Sequence, residues 1–238
     1  MDLSVVIPAN NEAACIGALL GEVFEALPGS IEYEVIVVDD GSIDDTPVVL
    51  QELCRDHPRL HALQHARRCG QSAATGSGVR AARGQWIVTL DGDGQNDPAD
   101  IMRLYEMMDK SSDRVALING HRAKRRDSAL KRFASRVANA VRARVLQDNT
   151  PDSACGIRLF SRETWLSLPQ FDHMHRFLPA LVQRQGGETR SLAVNHRERR
   201  GGKSKYGIVD RLWAGIVDML GVWWLQRRYS APVITEIK

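Results

Sequence analysis

Short apolar runs alternate with segments of helical spacing in the first half of the chain, and this alternation limits the folds open to it. Residues 3–7, 33–38 and 85–90 are rich in Val and Ile, as expected of strands buried on both faces. Repeated strand–helix units predict an α/β fold, with a mainly parallel sheet flanked by helices. Further strands are predicted at 60–63, 115–119, 155–160 and 191–196, and helices at 12–27, 44–53, 71–82, 98–108, 129–146, 177–185 and 208–225.

The charges of the chain are unevenly distributed along its 238 residues. The apolar fraction of 43% and the charged fraction of 26% are those of an ordinary globular protein. Residues 122–144, however, hold nine Lys or Arg and one Asp, and residues 197–205 hold five Lys or Arg and one Glu. This concentration of basic charge predicts an anionic partner for the second half of the chain.

Cysteine spacing and hydropathy bear on the compartment and on membrane topology. Cys15, Cys54, Cys69 and Cys155 form no CxxC pair, which predicts a reduced, cytosolic protein and no zinc site. The amino terminus lacks the basic region of a signal peptide, so none is expected. No stretch approaches 18 uninterrupted apolar residues, so no membrane-spanning helix is expected either.

An acidic motif, Asp91-Gly92-Asp93-Gly94-Gln95, follows directly on the fourth predicted strand. Alternate residues of an extended segment point the same way, so both carboxylates can reach one divalent cation. Magnesium is usually bound by one or two carboxylates together with substrate phosphates. The motif therefore suggests an enzyme that handles a nucleoside diphosphate; the alternative is a simple Asp-Gly turn.

Two other strands also end in polar or acidic residues, at 8–12 and 39–42. Ligands of parallel α/β sheets bind beyond the carboxyl ends of the strands, where these segments are expected to converge. No GxGxxG follows the first strand, which argues against a dinucleotide-dependent oxidoreductase. The Gly76-Ser77-Gly78 stretch lies within a helical pattern and is interpreted as close packing.

Four motifs of the first half resemble those of family 2 glycosyltransferases with the GT-A (Rossmann-like) fold. They are Val5-Val6-Ile7-Pro8-x-x-Asn11-Glu12, Val38-Asp39-Asp40-Gly41-Ser42, Gly70-Gln71-Ser72-Ala73-Ala74 and Asp91-x-Asp93-x-Gln95. Later motifs resemble the branch that contains dolichyl-phosphate mannosyltransferase and polyprenyl-phosphate glycosyltransferases. These are Gly120-His121-Arg122, Ser135-Arg136, the segment 155–162, and Arg199-x-x-Gly202-x-Ser204-Lys205-Tyr206. The resemblance runs from about residue 3 to about residue 210, and it implies a GT-A domain at 1–205 followed by a tail at 206–238.

The resemblance also implies roles for particular residues. Those expected to line the nucleotide pocket or lie near the diphosphate are Pro8, Asn11, Glu12, Asp39, Asp40, Gly70, Gln71 and Gly92, together with Asp91 and Asp93. Those expected to hold the metal are Asp91, Asp93 and Gln95. Those expected to bind the phosphate of a lipid acceptor are Arg122, Arg136, Arg199, Ser204 and Lys205. Of these, the expected catalytic set is Asp91, Asp93, Gln95, Arg122 and Arg136.

The activity that the resemblance implies is an inverting transfer of a hexose, mannose or another, to dolichyl or undecaprenyl phosphate, on the cytoplasmic face of a membrane. The donor is GDP-mannose or UDP-hexose, and the cofactor is Mg²⁺ or Mn²⁺. The alternatives are a non-catalytic sugar-nucleotide-binding or scaffold protein and a glycosyltransferase with a non-lipid acceptor. A nucleic-acid-binding module is disfavoured because Phe133 is the single aromatic residue in the basic stretch 122–144.

Several residues allow a structural interpretation beside the functional one. The 39–42 segment is also suited to a turn with a helix cap, and Glu12 to stabilising the helix dipole. Arg136 is also explained as a solvated helix arginine. Arg158, in an apolar strand, needs a carboxylate partner, for which Asp152 is the candidate. His173 and His175 are interpreted as ordinary surface or packing residues. Two positions depart from the family pattern: the family often has an aromatic residue at the position of Asn10 and usually has an apolar one at that of Gly94.

The predicted last helix, 208–225, combines tryptophans with basic residues. Tryptophan favours the headgroup boundary of a bilayer, and arginine favours anionic lipid, so an interfacial amphipathic helix is predicted. The alternative is packing on the protein's own core, a second subunit or a membrane-protein partner. The residues concerned are Trp213, Trp223, Trp224, Arg211, Arg227 and Arg228.

Overall fold

The computed structural model describes residues 1–112, 114–122, 140–148, 150–197, 208–230 and 235. Within these residues seven strands form one sheet in the order β3-β2-β1-β4-β6-β5-β7. All neighbouring strands are parallel except β6, which runs antiparallel to both β4 and β5. The strands are β1 (Leu3–Ala9), β2 (Tyr33–Asp39), β3 (Leu60–Gln64), β4 (Trp86–Thr89), β5 (Val115–Arg122), β6 (Arg158–Ser161) and β7 (Glu188–Val194).

Helices connect these strands and cover both faces of the sheet. They are α1 (Ile16–Ala26), α2 (Thr46–Asp56), α3 (Gln71–Ala81), α4 (Asp100–Asp109), α5 (residues 140–146), α6 (Arg162–Ser167), α7 (Leu178–Arg184) and α8 (Ile208–Arg227). A 3₁₀ turn occupies Met174–Arg176. The mainly parallel α/β architecture predicted from the apolar pattern is thereby confirmed.

The sheet separates two hydrophobic cores. Successive strand residues point to opposite faces, so Val5 and Val37 lie in the core under α1, α2 and α4. Val6 and Val38 lie in the other core, with α3, α6 and α7. Gly78 of α3 lies against this second face, where an added Cβ would come within 2.4 Å of Val6 Cγ1. The interpretation of this glycine as a close-packing residue is confirmed.

Two short elements were not predicted, and α1 begins later than expected. α1 starts at Ile16 rather than at residue 12 because the segment before it forms a turn, with Asn11 at φ 56°. The carbonyl of Glu12 accepts the N–H of Ile16 at 2.9 Å. The missed elements, α6 and the 3₁₀ turn, are too short to show hydrophobic periodicity.

Among residues 215–227, whose side chains the structure describes, the last helix packs on the second core along one side. Val222 is fully buried, and the Nε of Arg184 in α7 donates to the carbonyl of Leu225 at 2.9 Å. The opposite side leaves apolar side chains in solvent, namely Ile216, Val217, Leu220 and Trp224. In the described part of the chain no helix has both the length and the apolar character needed to cross a bilayer.

Candidate functional site

The carboxyl ends of β1, β2 and β4 meet at one edge of the sheet, as the polar strand ends predicted. Ala9, the last residue of β1, pairs with Asp39, the last residue of β2. On the other side of β1, the N–H of Leu90 donates to the carbonyl of Val6 at 3.1 Å. Asp91 therefore leaves the sheet beside the segment that follows β1.

The Asp91 carboxylate occupies space that is free because residue 156 is a glycine. Its Oδ1 accepts a 2.7 Å hydrogen bond from Gln71 Nε2, at the start of α3. Its Oδ2 lies where a side chain of Gly156 would be, since an added Cβ there would come within 2.1 Å of this oxygen. Residues 156–157 lead into β6, and Thr89 at the end of β4 fixes them by donating from its hydroxyl to the Gly156 carbonyl at 2.8 Å.

Burial raises the pKa of Asp91 to about 6, and the negative charge of Asp93 adds to the shift. The positive charges of Arg158 and Arg122 and the hydrogen bond from Gln71 oppose it in part. The favourable interactions of the Asp91 carboxylate within the protein are therefore smaller than the free-energy cost of ionising it there. A bound cation would relieve this strain, because an opposite charge nearby favours the carboxylate form.

The rest of the acidic motif is arranged for oxygen coordination. Asp93 Oδ1 accepts the N–H of Gln95 at 3.1 Å across Gly94, which has a φ of 72° that favours glycine. The side-chain Nε2 of Gln95 donates to the carbonyl of Arg197 at 3.4 Å, which leaves its Oε1 for a ligand. Two carboxylates and an amide oxygen are hard donors that suit Mg²⁺ or Mn²⁺. The donor set therefore fits a divalent cation.

The basic side of the site begins at the end of β5. Arg122 forms a two-point ion pair with Asp152, with Nε to Oδ2 at 2.7 Å and Nη2 to Oδ1 at 2.8 Å. Burial alone would lower the pKa of Arg122, but the hydrogen bonds and charge of Asp152 outweigh it and raise that pKa. The guanidinium therefore stays charged, in a fixed orientation, close enough to act on Asp91.

Asp152 acts on Arg158 through its charge, which raises the pKa of this arginine against the larger effect of burial, but Arg158 donates hydrogen bonds to other groups among the described residues. Arg158 is buried, and its Nε donates to Asn119 Oδ1 at 2.9 Å while Nη2 donates to the Ser153 carbonyl at 2.7 Å. The sequence could not show this because β6 is inserted next to β5, which brings Asn119 opposite Arg158. Burial lowers the pKa of Arg158, while the charges of nearby acidic groups, Asp91 among them, raise it in part.

Asp39 and Asp40 stabilise loops at the nucleotide side of the edge. Asp40 Oδ1 accepts the N–H of Cys69 at 2.8 Å, and Oδ2 accepts that of Gly70 at 2.7 Å. Asp39 Oδ1 accepts the N–H of Ser42 at 3.1 Å. These contacts agree with the interpretation of residues 39–42 as a turn. The helix-cap part of that interpretation does not hold, because the N–H of Thr46, the first residue of α2, donates to Asp44 Oδ1.

One group of side chains has the composition of a transition-metal site but is accounted for by hydrogen bonds. Ligand atoms of Asp40, His65 and Cys69 lie within 4.8 Å of one another. His65 Nδ1 lies 2.8 Å from Asp40 Oδ1, and its Nε2 lies 2.9 Å from Ser77 Oγ. Both ring nitrogens are therefore engaged, and the cluster anchors the loop that precedes α3.

The segment after β1 is interlocked with the 41–46 loop. Asn11 N donates to Ser42 Oγ at 2.8 Å, and Asn11 Oδ1 accepts the N–H of Ile43 at 2.8 Å. Glu12 N donates to Thr46 Oγ1 at 2.9 Å. Pro8 and Glu12 therefore lie at the same edge of the sheet as Asp39 and Asp91.

The structure brings together the predicted donor-side residues, including Gly70, Gln71 and Gly92, and adds Arg122 from the acceptor side. Arg136, Arg199, Ser204 and Lys205 lie outside the described residues. Sequence analysis missed Gly156, whose role depends on a long-range approach. His175, interpreted as a surface or packing residue, is half-buried and bound to Ser72 in the first turn of α3.

This architecture, with an acidic motif at the carboxyl edge of a mainly parallel sheet, is the GT-A fold. A mannosyltransferase from Pyrobaculum calidifontis, solved with GDP-Man and Mn²⁺, superposes with a TM-score of 0.71 at 21% identity, over 97% of this chain and 65% of that one. Glucosyl-3-phosphoglycerate synthase from Mycobacterium tuberculosis, solved with Mn²⁺, UDP and phosphoglyceric acid, superposes with a TM-score of 0.71 at 19% identity, over 97% of this chain and 80% of that one.

Residues 4–165 match the model of the family described as Glycosyl transferase family 2, and the chain belongs to this family. It is 33% identical over 237 residues to the dodecaprenyl-phosphate galacturonate synthase of Rhizobium johnstonii, covering 98% of this chain. It is 34% identical over 209 residues to the undecaprenyl-phosphate 4-deoxy-4-formamido-L-arabinose transferase of Edwardsiella ictaluri, covering 87% of this chain. The chain spans 69% and 63% of the lengths of these two relatives.

Proposed function

We propose that the protein transfers a sugar from a nucleoside-diphosphate sugar to a polyprenyl phosphate, with inversion at the anomeric carbon. The observation that carries the proposal is the electrostatic contact between two opposite poles of the site. Arg158 pairs with Thr89, two residues before Asp91, and the positive charges of Arg158 and Arg122 lower the pKa of the Asp91 carboxyl group, so acidic and basic groups lie close together. The names of the two curated relatives, both polyprenyl-phosphate enzymes, support a lipid phosphate as the acceptor.

The chemistry requires two anions to meet. On the donor side, Asp91, Asp93 and Gln95 would hold Mg²⁺ or Mn²⁺, which supplies the charge that stabilises a leaving diphosphate. On the acceptor side, Arg122 presents a guanidinium that Asp152 has already oriented. Arginine is suited to phosphate because its planar fork matches the phosphate oxygens.

No side chain is needed to deprotonate the acceptor. The second pKa of a phosphate monoester is about 6, so an attacking oxygen is already ionised at neutral pH. A sugar hydroxyl would instead need a general base. The protein's part is to bring the reactants into line and exclude water.

The test is a transfer assay with GDP-mannose, UDP-glucose, UDP-galactose and UDP-galacturonate, each with Mg²⁺ or Mn²⁺ and undecaprenyl phosphate. We expect one donor to yield a glycolipid that mass spectrometry detects and that EDTA prevents. Donor binding without any glycolipid would instead support a non-catalytic sugar-nucleotide-binding protein. Transfer to a soluble acceptor alone would contradict the lipid acceptor.

The outer side of α8 is the part of the protein best suited to contact the membrane in which such an acceptor resides. Trp224 and Leu220 are each 54% exposed, and Val217 is 51% exposed. Next to this face Arg227 and Arg228 stack on tryptophan rings, at 3.9 Å from Trp223 and 5.9 Å from Trp224. Exposed apolar groups beside guanidinium groups favour the interface of an anionic bilayer. These features support a peripheral position on a membrane, and we propose its cytoplasmic face.

Replacing Val217, Leu220 and Trp224 together by Ser is expected to lower binding to vesicles that contain anionic phospholipid by at least about tenfold. These side chains are exposed in the protein, but each contributes more than about 1 kcal/mol to the free energy of binding when it is buried in the bilayer interface. Vesicle flotation measures the effect. Val48→Ser is the matched control, because Val48 is also 54% exposed but lies on α2, on the other side of the sheet. Undiminished flotation of the triple variant would exclude this face as the anchor.

A further inference from the structure

His175 lies in the 3₁₀ turn Met174–Arg176. It forms hydrogen bonds with one residue, Ser72, in the first turn of α3. The backbone N–H of His175 donates to Ser72 Oγ at 3.2 Å, and the His175 Nδ1 lies 2.7 Å from the same oxygen. We assign the hydroxyl proton of Ser72 to the lone pair of Nδ1, while Ser72 Oγ accepts from the backbone N–H. This assignment puts the ring proton on Nε2 and makes Nε2–H a hydrogen-bond donor.

The imidazole is held in its neutral form. Burial lowers the pKa of His175 well below its ordinary value of 6.5, and the positive charges of Arg158, Arg176 and His173 act in the same direction. As a whole the residue is half-buried. Within the described part of the chain, nothing forms a hydrogen bond with Nε2. A neutral donor on this half-buried residue is suited to an uncharged oxygen, because it needs no counter-charge.

The position of His175 relates it to the end of the donor that carries the sugar. Ser72 directly follows Gln71, which binds Asp91. Arg158 acts electrostatically on both Asp91 and His175. His175 is therefore joined through Ser72 to the start of α3, next to the residue that binds the Asp91 carboxylate. A group attached to a diphosphate bound at Asp91 would project beside this first turn of α3.

We propose that the Nε2–H of His175 donates a hydrogen bond to the transferred sugar of the donor and thereby contributes to sugar selection. This inference rests on the proposed function, since it assigns a further contact to the same donor site. Ser72 is the positioning residue, because its hydroxyl fixes both the ring orientation and the tautomer. The acidic motif binds the diphosphate of any sugar nucleotide, and His175 adds discrimination at the ring hydroxyls.

Two substitutions of His175 test the roles of its two ring nitrogens separately. In His175→Asn the amide oxygen takes the place of Nδ1 and retains the bond from Ser72, but nothing occupies the position of Nε2. In His175→Gln an amide N–H reaches approximately the position of Nε2. Affinities for the free nucleoside diphosphate and for the nucleotide sugar that the wild-type protein uses are measured by calorimetry with Mn²⁺ present.

For His175→Asn we expect unchanged affinity for the nucleoside diphosphate, within about twofold, and an approximately tenfold loss for the nucleotide sugar, the effect of one hydrogen bond. His175→Gln should recover most of that loss, and the loss should appear in KM more than in kcat. Thermal unfolding reports whether each variant is folded. Ser72→Ala, which keeps His175 itself, provides an independent measurement and should give a smaller loss of the same kind.

Equal weakening of nucleoside diphosphate and nucleotide sugar in both variants would mean that His175 is structural, and no weakening in either would exclude the contact. Both results would overturn the inference while wild-type transfer still supports the proposed function. A wild-type protein that binds no nucleotide sugar would instead overturn the proposed function, and this inference with it.

Discussion

Replacing Asp91 by Asn is expected to stabilise the protein at pH 8 while reducing transfer by at least about a hundredfold. The folded protein raises the pKa of this carboxyl group from 3.8 to about 6, mainly through burial. Ionising Asp91 therefore costs more in the folded state than in the unfolded chain. Asn has nearly the same shape and can still accept from Gln71 through Oδ1, but it carries no charge. The expected gain in free energy of unfolding is about 1–3 kcal/mol.

The sign of the effect follows from the direction of the shift. Because the folded pKa is raised, Asp91 contributes its full stability below the unfolded pKa, near 4, and that contribution is lost as the pH rises through about 6. The advantage of Asp91→Asn should therefore be largest at pH 8 and only a small fraction of that at pH 4. Urea denaturation at pH 4, 6 and 8 without metal measures this dependence.

With a divalent cation present, the wild-type protein should have a higher free energy of unfolding than Asp91→Asn, the reverse of the order without metal. Mn²⁺ is expected to stabilise the wild-type protein more than the variant, because binding to the folded state alone raises the free energy of unfolding. Asp56→Asn is the matched control, since Asp56 is exposed at the end of α2, on the amino side of β3. An Asp91→Asn variant with wild-type stability at every pH would show that the carboxylate is not strained.

Gly156→Ala is expected to abolish the metal site without changing any proposed ligand. The added Cβ would lie 2.1 Å from Asp91 Oδ2 and 2.3 Å from its Cγ, distances at which one group must move. Thr89 holds the backbone of Gly156, so the Asp91 side chain is the group that must turn away. We expect Mn²⁺ affinity and transfer each to fall by about a hundredfold or more, since a ligand displaced by 1 Å loses most of its effect.

Calorimetry with Mn²⁺ and the glycolipid assay together measure this prediction. Gly21→Ala in α1 serves as the control, because a Cβ at Gly21 would meet nothing within 4 Å and should leave both quantities unchanged. Wild-type Mn²⁺ affinity in Gly156→Ala would contradict the assigned position of the Asp91 carboxylate.

Local pattern was sufficient to predict the strands and most of the helices of this fold. Runs such as 33–38 are apolar at every position because the strand is covered on both faces, and this signal lies within a few residues. The convergence of Asp39 and Asp91 followed from the same signal, because parallel strands end at one edge. Helix α6 and the 3₁₀ turn were missed because neither is long enough to have a periodicity.

Contacts that depend on strand order could not be derived from the sequence. Asp152 was expected to pair with Arg158, but it forms its two-point ion pair with Arg122 and acts on Arg158 through its charge, while Arg158 donates to Asn119. This arrangement exists because β6 is inserted between β4 and β5, which no local pattern indicates. The role of Gly156 has the same origin, since its neighbour Asp91 belongs to a distant part of the chain.

The insertion of β6 has a consequence for how the protein is made. β4 lies in the middle of the sheet, yet one of its two edges is completed only when β6 arrives; Thr89 and Gly156, which bond at this junction, are 67 residues apart. While the ribosome synthesises the intervening residues, the nascent chain displays an unpaired apolar strand edge, a template for association with other chains. Chaperone dependence and inclusion-body formation should therefore be governed by the segment that delivers β6, and a truncation before residue 161 should aggregate rather than give a smaller folded protein.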